Sequence, residues 1–243
     1  MSDGFYGREQ ARIHHEAFGR LADRAADRLL AELRTAGIGG GTFVDLGCGT
    51  GILARRMLEA GFDVLGADVS PSMLEIARVE APGARLVEAS LLDLDLPPCV
   101  AIAATGEALN YATDPRTGPT ALAHLIRRVR MALAPGGVFL FDVSLHGRSG
   151  PNRRRVQFHN RRDWSVGVVE TVDDTSITRM ITTYLGTSSG GYTRTDEVHG
   201  LWLYDADELL ALLDSARFEA GRFADYTDPE GMPGWTVIVA RAV

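Results

Sequence analysis

The run F-V-D-L-G-C-G-T-G at residues 43–51 constrains the fold of this chain more than any other stretch. Its apolar first part, interrupted only by Asp45, is typical of a buried parallel strand. Gly47, Gly49 and Gly51 follow, and an amphipathic helix pattern begins directly after them. Because a glycine-rich turn at a helix N-terminus presents backbone N–H groups to a close-lying ligand, the run predicts a ligand site.

The spacing of these glycines narrows the choice of ligand. The dinucleotide fingerprint G-x-G-x-x-G, counted from Gly47, requires glycine at position 52, where this chain has Ile52. The observed spacing is G-x-G-x-G, with Asp45 ahead of it. A dinucleotide oxidoreductase is therefore disfavoured, while the turn alone leaves a nucleotide ligand open.

The order of apolar runs predicts a doubly wound α/β fold. Helix patterns alternate with five short strand patterns, near residues 42–46, 63–67, 84–88, 100–105 and 138–143. Ahead of them, residues 8–35 have the apolar period of one N-terminal helix. A last helix near 205–216 and two strands near 218–226 and 235–241 complete a Rossmann-like, mostly parallel sheet.

Residues 150–203 interrupt this order with period-two alternation, which is typical of antiparallel strands. We interpret them as an antiparallel β meander with a turn at 186–191. The predicted organisation has three parts: an N-terminal helical region at 1–37, a core at 38–147 and 204–243, and an inserted β lid at 148–203.

Composition excludes several functional classes. The chain has 243 residues and a net charge of −7, which argues against nucleic acid as the main partner. All 25 basic residues are arginine, so lysine Schiff bases and the phosphate-loop lysine are absent. The 2 cysteines and 6 histidines have no metal-binding spacing, and no metal is expected. Without an apolar run of ~20 residues or a signal pattern, we expect a cytoplasmic protein that does not bind membranes.

Further motifs resemble those of the class I S-adenosylmethionine-dependent methyltransferases. The glycine turn resembles their D/E-x-G-x-G-x-G motif, and D-V-S-P-S-M at 68–73 resembles their D-x-S-x-x-M motif. The resemblance implies that Asp68 accepts hydrogen bonds from both ribose hydroxyls, and that Val69 and Met73 lie against adenine. A carboxylate after the second strand also suits a ribose diol on chemical grounds.

The same resemblance extends to residues 87–93 and to the A-P-G-G turn at 134–137. It implies that Ser90 accepts from the adenine amino group, where related enzymes often have aspartate, and that the backbone N–H of Leu91 serves adenine N1. Thr105, after the fourth strand, is expected beside the sulfonium. For the methionine carboxylate the candidates are Arg12, His14 and His15, and Tyr6 is a candidate cap.

The acceptor side is less specific. Methyl transfer from a sulfonium requires alignment of acceptor and methyl carbon more than acid–base groups. Glu107 and His199 are candidate bases, each with a structural alternative, and Asn110 is a candidate for orienting the acceptor. Arginines of the lid, Arg148 among them, are candidates for binding an acidic acceptor, although a solvated strand face is the default interpretation. Trp164 and Trp202 are candidates for an aromatic wall, with core packing between the sheets as the favoured alternative.

The sequence therefore predicts an enzyme that methylates a small molecule at nitrogen or oxygen, with S-adenosylmethionine as cofactor. The resemblance to members with an inserted β sheet favours an amine acceptor. A nucleic-acid methyltransferase and a non-catalytic cofactor-binding protein are the alternatives, and a homodimer is left open.

Overall fold

The computed structural model describes residues 5–148, 153–188, 190–227 and 234–243. The predicted N-terminal region, lid, lid turn and C-terminal core thus have residues outside this part, at 1–4, 149–152, 189 and 228–233. The described residues form a seven-stranded sheet with helices and a separate four-stranded antiparallel sheet. The predicted fold class is confirmed.

The helices are α1 Arg8–Phe18, α2 Arg20–Thr35, α3 Ile52–Glu59, α4 Pro71–Glu80, α5 Pro119–Ala132 and α6 Ala206–Ser215. The strands are β1 Gly41–Leu46, β2 Phe62–Asp68, β3 Arg85–Glu88, β4 Cys99–Ala104, β5 Leu133–Ser144, β6 Arg154–Asn160, β7 Trp164–Val172, β8 Ser176–Gly186, β9 Tyr192–Trp202, β10 Phe218–Phe223 and β11 Trp235–Ala242.

The large sheet has the order β10-β11-β5-β4-β1-β2-β3. Strands β1 to β5 pair in parallel, and β11 runs antiparallel to both of its neighbours. The order reverses at β1, from which β2 lies on one side and β4 on the other. In such sheets the crevice at the carboxyl ends beside the reversal is where ligands bind.

The N-terminal helix is not continuous, which corrects the prediction of a single helix over 8–35. It divides at Gly19, where an added Cβ would lie 2.4 Å from Cδ1 of Ile52. On either side of the break the helices pack on different partners, because α1 contacts α4 and β8 whereas α2 contacts α3 and β5. Apolar period cannot show this change of partner, since both helices keep the same period.

The inserted sheet, β6-β7-β8-β9, turns one face toward the core. On that face Trp164, Val166 and Ile181 pack around Ile13 of α1. The indole N–H of Trp164 donates to Glu16 Oε2 at 3.1 Å, so this residue belongs to the packing between lid and helix. The opposite face carries exposed apolar side chains such as Val156 and Met180. Within the described residues, no helix is long and apolar enough to cross a membrane.

Candidate active site

Two adjoining cavities lie at the carboxyl ends of the central strands. The smaller cavity, of about 110 Å³, is formed mainly by the ends of β1, β2, β3 and β4 and by the loops that follow them. The larger cavity, of about 280 Å³, lies between this edge and the inserted sheet. Seven residues line both cavities: Tyr6, His14, Gly47, Gly49, Thr105, Gly106 and Tyr111. A ligand in the smaller cavity therefore reaches the larger one directly.

The glycine turn forms the floor at the junction of the two cavities. Gly49 has φ of 52°, and an added Cβ would meet nothing within 4 Å, so the backbone faces open space. Gly47 also has positive φ, and its Cβ would lie 2.8 Å from that of Ala108. Gly51 has a different role, because its Cβ would lie 3.0 Å from Cα of Ala77 in α4. Gly47 and Gly49 thus line the cavities, and Gly51 permits close helix packing.

Asp68 fixes the turn from the neighbouring strand. Its Oδ2 accepts from the backbone N–H of Gly49 and its Oδ1 from that of Ser70, both at 2.9 Å. Burial raises the pKa of this carboxyl above its ordinary value, and the backbone donors partly offset that shift. Asp68 lines the smaller cavity together with Val69 and Met73. A carboxylate has about four acceptor sites, so capacity remains for a diol.

Asp45 is buried without a partner. It is 1% exposed, and neither carboxylate oxygen has a hydrogen-bond partner among the residues that the structure describes. Burial, followed by the charge of Asp68, raises the pKa of Asp45 to about 8. A buried acid of this kind suits a cationic group such as an ammonium, which would restore its charged form.

Replacing Asp45 by Asn is expected to stabilise the ligand-free protein and to weaken binding of S-adenosylhomocysteine. The folded-state pKa of Asp45 lies above its ordinary value, so its contribution to stability is present at about pH 4 and is lost as pH rises toward about 8. At about pH 7 the Asn variant should have a free energy of unfolding higher by about 1–3 kcal/mol, measured by urea denaturation. The exposed Asp63→Asn on β2 is the control; equal or lower stability of the Asp45 variant would contradict the prediction.

At the far end of the smaller cavity a second carboxylate accompanies Ser90. The Ser90 hydroxyl donates to Asp114 Oδ2 at 2.7 Å and accepts from the Leu92 N–H at 3.3 Å. Arg116 donates to both Asp114 oxygens and holds the pKa of that carboxyl well below its usual range. Ser90, Leu91 and Asp114 all line the smaller cavity. The sequence reasoning missed Asp114, which lies 24 residues further along the chain.

The loop after β4 is held in a strained conformation. Glu107 has φ of 63°, which is uncommon for a residue other than glycine. Asp142 of β5 accepts from the backbone N–H of Gly106 at 2.7 Å and of Glu107 at 2.6 Å, and Tyr226 donates to the same carboxylate. Burial raises the pKa of Asp142 to about 6. The loop is thereby fixed with the Glu107 side chain beneath the inserted sheet.

Glu107 belongs to a buried charged cluster that we define as Glu107, Arg148, Glu170 and Arg179. Arg148 donates to Glu107 Oε1 at 2.5 Å and Arg179 to its Oε2 at 2.8 Å. Although burial opposes it, the guanidinium groups of Arg179 and Arg148 lower the pKa of Glu107 to about 2. A carboxylate so stabilised is a weak base, which argues against the candidate role of Glu107 in proton abstraction. All four residues line the larger cavity.

An N-terminal cap, residues 5–7, lies over the junction of the cavities. The backbone N–H groups of Tyr6 and Gly7 donate to Glu197 of β9 at 3.0 and 2.9 Å. Ser70 donates to the Tyr6 carbonyl, and the hydroxyls of Tyr6 and Tyr111 lie 2.8 Å apart. The inserted sheet therefore holds the N-terminal segment against the cofactor side.

His199 supports this cap and does not reach the cavities. It is 2% exposed, its Nε2 lies 2.8 Å from Glu197 Oε2, and its ring packs against Phe5, Tyr6 and Tyr111. His199 is not among the residues lining either cavity. Its role as a catalytic base stays a prediction, and the observed contacts favour support of the cap.

Asn110 is likewise removed from the acceptor. It is fully buried, its amide nitrogen donates to the carbonyls of Ser144 and Trp202, and its oxygen accepts from the Ser144 N–H. These bonds join the loop after β4 to β5 and β9. Because the backbone occupies both ends of the amide, these bonds favour a structural role, and the orienting of an acceptor stays a prediction.

The candidates for the methionine carboxylate separate in space. Arg12 is exposed and pairs with Glu16 at 3.0 Å. His15 Nδ1 lies 3.0 Å from the hydroxyl of Thr50 in the glycine turn. His14 lines both cavities, and burial together with the neighbouring His15 lowers its pKa to about 4, so it is neutral at pH 7.

Part of the chain matches a known protein family, and two known proteins are similar to it in sequence. Residues 43–137 match a family model described as a methyltransferase domain. A protein of Geobacillus sp. (strain WCH70) that bears the name of a methyltransferase is 27% identical over 198 residues, which are 76% of this chain and 77% of that protein. A ubiquinone biosynthesis O-methyltransferase of Alkalilimnicola ehrlichii is 32% identical over 114 residues, which are 44% of this chain and 43% of that enzyme.

Solved structures share the whole fold at low sequence identity. An S-adenosylmethionine-dependent methyltransferase from Clostridium acetobutylicum superposes with a TM-score of 0.82 at 18% identity, covering 96% of this chain and 98% of that one. An amino pentose methyltransferase from Micromonospora echinaspora, solved with S-adenosylmethionine bound, gives a TM-score of 0.76 at 21% identity, with 95% and 97% covered.

The family match, the relatives and the site agree on one class of protein. Residues 43–137 match the methyltransferase domain, and this match, the relatives and the shared fold support a class I methyltransferase with S-adenosylmethionine as cofactor. The open backbone at Gly49 and the carboxylate of Asp68, which both line the smaller cavity, fit that cofactor, whereas Asp45 is buried and lines neither cavity. Among the described residues no group of three or more His, Cys, Asp or Glu could hold a metal ion.

Proposed function

We propose that this protein methylates a nitrogen or oxygen atom of a small molecule bound in the larger cavity. The observation that carries the proposal is the junction of the two cavities, where Tyr6, Thr105 and Tyr111 line both. The cofactor side and the space beneath the inserted sheet meet only a few side chains apart. Such an arrangement supports direct transfer between two bound molecules.

The smaller cavity supports the following assignment of cofactor contacts. Asp68 accepts from the ribose hydroxyls, Val69, Met73 and Leu91 surround adenine, and Gly47 and Gly49 let the methionine portion approach the backbone. Asp45 lies behind that turn as the acid for the ammonium. Thr105 lies at the junction, where the sulfonium is expected. When bound, the cofactor supplies an already activated methyl group.

For the adenine amino group we propose Asp114, positioned by Ser90, as the acceptor. Ser90 and Arg116 already occupy all of the about four acceptor sites of this carboxylate, so the exposed Arg116 side chain has to release one of them. The Ser90 hydroxyl already donates to Asp114 and accepts from Leu92, whereas the carboxylate lines the same cavity. Asp114→Asn should weaken S-adenosylhomocysteine binding about tenfold, the loss of one charge-assisted hydrogen bond. Calorimetry measures this, with the exposed Asp63→Asn as control; an unchanged affinity would return the role to Ser90.

The chain's own residues then act by positioning. Arg179 connects Glu107, Glu170 and the hydroxyl of Tyr111, so the wall facing the junction is rigid. The cap of residues 5–7 covers the junction and separates it from water. Neither the positioning of the acceptor nor the exclusion of water needs a group that titrates near neutral pH, in keeping with the low pKa of Glu107.

The names of two similar proteins suggest two classes of acceptor to test first. One relative is a ubiquinone biosynthesis O-methyltransferase, and one structural neighbour is an amino pentose methyltransferase. The structural neighbour covers nearly the whole chain, including the inserted sheet, and this supports amines ahead of phenols. The net charge of −7 disfavours nucleic acids as acceptors, so oligonucleotides serve as the negative control.

The function is tested in two stages. Calorimetry should show S-adenosylhomocysteine binding in preference to NAD, and preference for NAD would contradict the cofactor assignment. Labelled methyl transfer is then measured on amines, phenols, alcohols and oligonucleotides, with products identified by mass. Transfer to a small amine or hydroxyl supports the proposal. Tight binding without transfer to any acceptor would instead favour a non-catalytic binding protein.

A further inference from the structure

One buried guanidinium in the larger cavity has unused hydrogen-bond donors. The Arg148 side chain is 9% exposed and lines that cavity. Its Nη1 donates to Glu107 and to the Ser144 hydroxyl. Its Nη2 lies 3.8 Å from Glu170 Oε1, beyond hydrogen-bond distance. Its Nε–H is buried and has no hydrogen-bond partner in the part of the chain that the structure describes.

In the neighbouring Arg179, every guanidinium nitrogen has a hydrogen-bond partner. Its Nε donates to Glu170, its Nη1 to the Tyr111 hydroxyl and its Nη2 to Glu107. All three of its nitrogens are therefore occupied. Arg148 differs by leaving one edge, Nε–H with Nη2–H, without a hydrogen-bond partner among the described residues, and buried donors are rarely left unpaired.

The unpaired Nε–H and Nη2–H of Arg148 match the geometry of a carboxylate. Two parallel N–H groups on a planar guanidinium match the two oxygens of a carboxylate side-on. Within the charged cluster the two arginines and two glutamates cancel. A carboxylate brings one negative charge to this edge, whereas a phosphate dianion would set two charges beside Glu107 and Glu170.

We infer that the acceptor carries a carboxylate group, which binds side-on to Arg148 in the larger cavity. This inference rests on the proposed function and specifies its substrate class as an amino or hydroxy acid. The carboxylate end is held near the inserted sheet, and the nucleophilic nitrogen or oxygen extends toward Tyr6 and Tyr111 at the junction.

The test uses small carboxylates as probes of the protein saturated with S-adenosylhomocysteine. Binding of acetate, butyrate and benzoate is compared by NMR titration with that of acetamide, butyramide and benzamide. Each carboxylate is expected to bind about tenfold or more tightly than its amide. Equal affinities in the unmodified protein would overturn the inference without any variant.

Variants locate the preference. Arg148→Gln should abolish the preference for carboxylates over amides. Arg148→Lys keeps the charge without the planar fork and should retain only part of that preference. The matched control is Arg153→Gln, because Arg153 also lies on the lid but is 62% exposed and pairs with Asp174. Thermal unfolding and S-adenosylhomocysteine affinity show whether each variant is folded. A carboxylate preference that survives in folded Arg148→Gln would contradict the site.

Failure of this inference is distinguishable from failure of the proposed function. Efficient transfer to amines that lack a carboxylate, with no preference among the probes, overturns the inference alone. Carboxylate binding that depends on Arg148, in a protein that transfers methyl to no acceptor, would overturn the proposed function while the binding site stands.

Discussion

Asp68→Asn is expected to weaken S-adenosylhomocysteine binding by about a hundredfold or more. The carboxylate holds the N–H groups of Gly49 and Ser70 and is assigned to both ribose hydroxyls. An amide has one oxygen, and its NH₂ group would face a backbone donor, so the glycine turn loses a bond together with the ligand. Two charge-assisted hydrogen bonds at about 1.5–3 kcal/mol each account for the size of the effect.

Isothermal calorimetry measures this loss, with the exposed Asp63→Asn on the same strand as the matched control. The control should bind as the unmodified protein does. An affinity for Asp68→Asn within about fivefold of the unmodified protein would mean that the ribose lies elsewhere.

Glu107→Gln is expected to lower the free energy of unfolding at about pH 7 by about 3–5 kcal/mol, because two buried arginines lose their shared partner. The pH dependence of this stabilisation follows from the Glu107 pKa of about 2, which lies below the ordinary value of 4.5. The stabilisation is present above about pH 4.5 and is lost as pH falls toward about 2. The difference between the variant and the unmodified protein should therefore shrink in acid.

Urea denaturation at about pH 7 and about pH 3 measures this difference, and the exposed Glu219→Gln on β10 is the control. The control should match the unmodified protein at both values. A difference that is small at neutral pH would contradict the cluster. A pH–rate limb near neutrality that disappears in Glu107→Gln would restore the residue as a general base.

The cofactor side was predictable because its determinants are local. The glycine turn, the acid that ends β2 and the Ser70-Pro71 start of α4 each lie within one strand–turn–helix unit. Such units are set by short-range sequence patterns, and the family match confirms the class that they indicated. The packing role of Gly51 could not be predicted, because its neighbour Ala77 is on another helix and the sequence gives no sign of that contact.

The acceptor side was less predictable because its groups come from distant segments. The charged cluster joins the loop after β4, the turn after β5 and two lid strands. One signal was present: Arg179 occupies an inward position of an alternating strand, between Ile177 and Ile181, where a charge requires a buried partner. The roles of Asn110 and His199 were hard to predict because polar residues near a site also serve to hold its backbone, and only their hydrogen-bond partners distinguish the two roles.

A crystal structure with S-adenosylhomocysteine is the measurement that tests the central claim most directly. We expect the ribose hydroxyls to bind Asp68 in the smaller cavity and the sulfur to face the larger cavity at the junction lined by Tyr6, Thr105 and Tyr111. A sulfur directed away from the larger cavity, or an adenine placed beneath the inserted sheet, would contradict it.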